Sequence, residues 1–140
     1  MRLNGDPGGL DSEANAQELV QILSSFRAGD GLKQNLAVAK EIAGTLDATT
    51  LQAALKQALI AQTIYGIREN YHDPALIIIS EFQDLLGNVL QSPDVQKVAT
   101  DAVCDYLKRG WIKSAVPLIR AFKLQPDVLE QDKNIQSYTR

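Results

Sequence analysis

The sequence reads as all-α. Apolar residues recur at three-then-four spacing over most of the chain, and no stretch sustains the apolar-polar alternation of a strand. Prolines and glycines cut the chain into segments of helical length. Two helical architectures stay open at this level: a short α-solenoid of helical hairpins and an irregular helical bundle.

Residues 1–10, rich in Gly with Asn, Asp and Pro, offer little to bury and read as a flexible leader. A single helical domain is expected over 11–133 and a polar tail over 134–140. Gly5 to Gly9 superficially suggests a phosphate loop, yet the Gly-Lys-Ser/Thr ending is missing and no strand precedes it. The first helix is expected from Asp11 or Ser12 to about Arg27, with Ala16, Leu19, Val20, Leu23 and Phe26 on its apolar side. Ala28-Gly29-Asp30-Gly31 breaks it. Leu32 to Ala43 forms the second, with Leu32, Leu36, Ala39 and Ile42 on one face and Gly44 placed to stop it.

Asp47 or Thr49 can cap a third segment, whose apolar stripe drifts from Leu51, Leu55 and Leu59 towards Ile60, Ile64 and Ile67. One long helix meeting different neighbours, or two shorter ones with a break near Gly66, fits that drift equally well. The corner at Tyr71-His72-Asp73-Pro74 is marked by its proline. From Asp73 to Leu90 the stripe of Ile78, Ile79, Phe82, Leu86 and Val89 reads as one central buried helix, with Asp73 as N-cap and Pro74 at the first helical position.

Ser92-Pro93-Asp94 marks another capped start, and Val95, Ala99, Ala102, Val103 and Tyr106 make the stripe that follows. Lys108 and Arg109 end this helix, with Gly110 after it. Ser114 can cap the last helix, which places Pro117 in its first turn and turns Ala115, Val116, Ile119 and Phe122 inward. Pro126 is the next break, with a short helix expected over 127–133.

Bulk properties exclude several functions. Hydrophobic residues make up 45% and charged residues 22%, which argues against wholesale disorder. Fourteen basic and seventeen acidic residues leave a net charge of −3, and no run of Lys or Arg lines a phosphate track, so nucleic acid is not an expected partner. Nothing reaches membrane-spanning length, and a lone cysteine forms no internal disulfide; a cytoplasmic, intracellular protein without membrane association is expected.

Catalytic chemistry finds little to work with. A nucleophile needs a base, and His72 is the one histidine; at a corner it is expected to be solvated. Cys104 has Asp101 and Asp105 nearby, acids that disfavour a thiolate, so a structural thiol is expected. One His and one Cys make no zinc site. The reading is a non-enzyme with no cofactor and no metal. Asp101, Asp105 and Lys108 share one helix face, usually a solvated one. Trp111, Tyr106, Tyr71 and Phe122 sit near corners, where large aromatics either close the core or anchor a partner.

Two blocks share a pattern. Asp73-Pro-Ala-Leu-Ile-Ile-Ile and Ser114-Ala-Val-Pro-Leu-Ile-Arg each set a proline beside an apolar run, and the prolines Pro74 and Pro117 are about 43 residues apart. The stretch from Ser92 to Leu107 resembles the third helix of an armadillo repeat, and Ala115 to Arg120 the opening of that family's second helix. The pair Glu18 to Ser25 and Leu36 to Ala43 also resembles such helices, so the resemblance to armadillo and HEAT-type repeats touches most of 16–124. It implies a scaffold or adaptor that binds a protein or peptide along a helix-lined groove. The groove asparagine of armadillo proteins corresponds here to Glu41 and Asp105, a departure that implies an acidic groove for a basic or mixed partner. Glu41, Asp101, Asp105, Lys108 and Trp111 are the expected partner-binding residues. About three hairpins are near the minimum for a stable solenoid, so the end helices act as caps or dock onto more chain or a second copy. The other reading is a small dimeric regulator or chaperone-like adaptor.

Overall fold

A computed structural model of the chain describes residues 10–27, 29 and 31–124. Among them are six α-helices: α1 (Leu10–Ser25), α2 (Leu32–Ala43), α3 (Ala48–Glu69), α4 (Asp73–Glu81), α5 (Pro93–Lys108) and α6 (Ile112–Ala121). Two 3-10 turns, Gln83–Leu85 and Val89–Gln91, link α4 to α5, and no strand occurs among the described residues. Leu10 already belongs to α1. The rest of the expected leader, the short helix at 127–133 and the tail at 134–140 lie outside the described residues.

Most starts and stops follow from local chemistry. Asp47 caps α3, its Oδ1 accepting the Thr50 N–H at 2.8 Å. That bond holds the Asp47 carboxyl below its ordinary pKa, since the charged form is the better acceptor. Helix α3 is unbroken through Gly66, and Asn70 ends it in a left-handed conformation with φ 57°. Three expected caps differ. Ser92 is the N-cap residue of α5 without a side-chain cap, because its Oγ donates to the Val89 carbonyl at 2.7 Å. His72 is the N-cap residue of α4, one position before Asp73. Helix α6 begins at Ile112, so Ser114 is not its cap and Pro117 falls in the helix interior, where the Lys113 carbonyl loses its usual donor.

The expected central helix is the largest difference. It stops at Glu81, and the chain turns back through Gly87, whose φ of 56° is a left-handed conformation that glycine adopts without penalty. Eighteen helical residues would run about 27 Å in one direction. The turn instead folds Phe82, Leu86, Val89 and Leu90 into the same core as Ile78, against α3 and α5, and leaves Leu85 exposed. Two 3-10 turns repeat apolar residues at the same three-and-four spacing as a helix, so periodicity does not separate the two.

Helix α3 is the centre of the packing. It contacts α1 on one side and α5 on the other, while α2 packs on α1, α4 on α3, and α6 on α5; α4 also touches α6. Lys56 reaches Asp94 (3.1 Å) near the starts of α3 and α5, and Arg109 Nη1 reaches Asn70 Oδ1 (2.8 Å) past their ends, so the two helices run parallel. Asn15 with Thr45 (2.9 Å) and Gln62 with the Leu23 carbonyl (2.8 Å) order α1 and α3 the same way. The three form a parallel row.

The drifting stripe of α3 now has its explanation. Leu51, Leu55, Ala58, Leu59, Gln62 and Gly66 are all buried because the helix has neighbours on several sides. Leu19, Leu55 and Leu59 are fully buried, each contributing about 1.5–3 kcal/mol. Gln62, equally buried, donates through Nε2 to the Leu23 and Phe26 carbonyls at the end of α1 and accepts from Arg27. A buried amide is tolerated there because its donors and acceptor are met.

Candidate functional site

The parallel row brings the C-terminal ends of α1, α3 and α5 to one edge, and the aromatic residues collect there. Arg27 lies over the Tyr65 ring, 3.6 Å from its centroid, and Tyr65 meets Tyr71 edge-on at 6.4 Å. Further along, His72 packs edge-on against Tyr106 (4.8 Å), Tyr106 against Trp111 (5.8 Å), and the Arg109 guanidinium sits 5.3 Å from the Trp111 ring. Aromatic pairs in these geometries and stacked cations each add attraction beyond buried area. Local sequence makes the corner: Gly110, with φ 78°, turns the chain after α5, and the Trp111 N–H returns to the Tyr106 carbonyl at 2.9 Å.

His72 is not solvated, as a corner histidine was expected to be. It is 5% exposed, wedged between Gly66 and the Tyr106 ring, and neither ring nitrogen has a hydrogen-bond partner. Burial pushes its pKa below the ordinary histidine value, with Asp105 and Asp73 pulling weakly the other way. Burial, with help from the same two acids, raises the Tyr106 phenol, and Arg109 opposes. No hydrogen bond joins the imidazole to a hydroxyl or thiol, and Cys104 is buried in α5. Among the described residues no group of three His, Cys, Asp or Glu side chains is arranged to hold a metal, and no helix is long and apolar enough to cross a membrane.

The expected partner-binding residues divide. Trp111, 43% exposed, and Ile112, 47%, stand side by side at the start of α6, and Lys108 is exposed one turn earlier. Asp105 adjoins them but is engaged by Arg109 at 3.3 Å, and Asp101 pairs with Lys97 at 3.4 Å rather than with Lys108. Glu41 is exposed on α2, which packs on α1, whereas α5 packs on α3 and α6. Glu41 and Asp105 thus belong to opposite ends of the row and do not line one groove.

Sequence reasoning missed the charge of α6. From Tyr106 to Leu124 there is no acid and there are five bases, Lys108, Arg109, Lys113, Arg120 and Lys123. They are scattered in sequence, which hides them. With Ala115 and Leu118 buried against α5, Lys113 and Arg120 share the outer face of α6 with Pro117, and Lys123 follows at its end, all four exposed. The missing acid over that span was the available signal. A separate groove of about 370 Å³ lies between α1 and α3, floored by Ala16, Val20, Ala53 and Ala54 and rimmed by Glu13, Gln17, Gln21, Thr50 and Gln57.

No family model matches the chain, and neither the comparison with curated proteins nor that with solved structures returned a match.

Proposed function

We propose that the chain is a non-catalytic protein-interaction module, a short armadillo- or HEAT-like α-solenoid of three hairpins that binds a protein segment at its α5–α6 corner. The packing order supports the solenoid reading: α1, α3 and α5 make one parallel row, backed in turn by α2, α4 and α6. The observation that carries the binding role is the pair Trp111 and Ile112. Two large apolar side chains stay nearly half exposed while the turn beneath them is held by backbone bonds and by Arg109. A firmly held, half-exposed tryptophan is the type of side chain that anchors interfaces, since its area is offered at little cost in ordering.

The test is selection of a displayed random dodecapeptide library against the full chain, with Trp111→Ala as the counter-target. Circular dichroism of the variant checks that the helices persist. Peptides retained by the native chain and released by the variant are expected. Selection that yields no Trp111-dependent peptide overturns the binding corner.

A further inference from the structure

We infer that the segment received at this corner is acidic with an apolar anchor: its apolar side chain covers Trp111 and Ile112, and its carboxylates meet the outer face of α6. The inference rests on the proposed binding corner and adds the chemistry of what binds there. The charge of the surface carries it. Lys113 and Arg120 are seven residues apart on one exposed face, about 10 Å along the axis, and Lys123 is exposed in the left-handed turn that ends the helix. No acid lies between Tyr106 and Leu124 to offset the five bases there, in a chain whose other residues hold nine bases against seventeen acids. An apolar anchor at the head of such a line selects an extended or helical segment running along α6, with carboxylates spaced to meet it.

A peptide fits this surface better than an extended anionic one. Outside the span from Tyr106 to Leu124 the chain holds nine bases against seventeen acids. A bilayer or a duplex approaches as a broad surface and meets that acidic excess, whereas a narrow segment can lie along α6 alone. The Trp111 ring also lies against Arg109 and Tyr106 as a platform rather than standing clear of the surface.

The peptides selected above decide the matter, with the chain's single tryptophan as fluorescent reporter. Trp111-dependent peptides are expected to be net acidic, to shift Trp111 emission, and to bind the folded double variant K113E/R120E at least about tenfold more weakly. Raising salt weakens them in the native chain and barely affects them in the variant. Neutral or basic Trp111-dependent peptides overturn the acidic inference while leaving the binding corner in place. Emission shifted by phosphatidylserine vesicles or an oligodeoxynucleotide, with no peptide that depends on Trp111, overturns both. A concentration-dependent dimer abolished by K113E assigns the corner to a second copy and overturns the inference as stated.

Discussion

Gly66→Ala is expected to destabilise the protein, although the same change in an ordinary helix interior stabilises it. Alanine is favoured over glycine in a helix by about 1 kcal/mol, which sets the gain. Against it stands His72: a Cβ on Gly66 falls inside the imidazole, 2.9 Å from its Cγ and closer to Nδ1. The ring has no free route of retreat, because it is 5% exposed and faces the Tyr106 ring at 4.8 Å. Overpacking of this kind costs about 1–3 kcal/mol, and forcing the ring off its rotamer adds about 0.5–1.5. The net expectation is a loss of about 1–3 kcal/mol, read as a lower urea midpoint at unchanged slope. The pair His72→Ala and Gly66→Ala/His72→Ala completes a double-mutant cycle. Once the ring is gone, adding the methyl should be neutral or stabilising, so the cost of Gly66→Ala changes sign between backgrounds. A native-background Gly66→Ala that gains about 1 kcal/mol, the helix preference alone, refutes the close packing of α3 on the α4 corner.

Acid should weaken the fold through His72. Its folded pKa lies below the unfolded value of 6.5, so the unfolded chain takes the proton first. Stability is then full above about pH 6.5, falls below it by up to about 1.4 kcal/mol per pH unit, and levels off once the folded imidazole also protonates. Urea midpoints between pH 7.5 and 5 for the native chain and His72→Leu isolate this contribution, and parallel curves for the two would contradict it. Gln62→Leu takes the side-chain donor from the buried Leu23 carbonyl and the Gln62 acceptor from Arg27, while Phe26 keeps its bond from Arg27, and should cost about 1–3 kcal/mol by urea unfolding. Gly87→Ala, forced into φ 56°, should cost about 1–2 kcal/mol by thermal unfolding. Pro117→Ala returns a donor to the Lys113 carbonyl and should raise stability by about 1–3 kcal/mol, measured the same way.

Much of the fold is legible because one-helix rules govern it. The all-α class follows from periodicity, α2 begins and ends where its stripe does, and Asp47 caps α3 as its position before the apolar run suggests. What periodicity does not carry is the direction in which a stripe continues. Phe82, Leu86 and Val89 keep helical spacing straight through the Gly87 turn, so the reversal shows only in three dimensions. The burial of His72 is hidden for a related reason: it depends on Gly66, which leaves room for the ring, and on Tyr106, far away in sequence. Of the site, Trp111 and Lys108 were visible as an aromatic and a cation at a helix end. The outer face of α6 was not, since its charges become neighbours only once Ala115 and Leu118 choose the inner side.

The gathering of cations at the row's edge follows from a rule that acts on each helix alone. A helix C-terminus favours a cation by about 0.3–1 kcal/mol, and here Arg68 stands in the last turn of α3, Lys108 in that of α5, and Arg27 just beyond α1. In an antiparallel bundle such preferences alternate from end to end and leave no patch. Parallel stacking of α1, α3 and α5 adds them along one edge, where Arg27 stacks on Tyr65 and Arg109, just past α5, on Trp111. Helix α6 then starts from that edge and carries its own bases away along the outside. The cations gathered at that edge are thus a product of the stacking direction, and the surface proposed to receive an acidic segment is built by the same packing that orders the core.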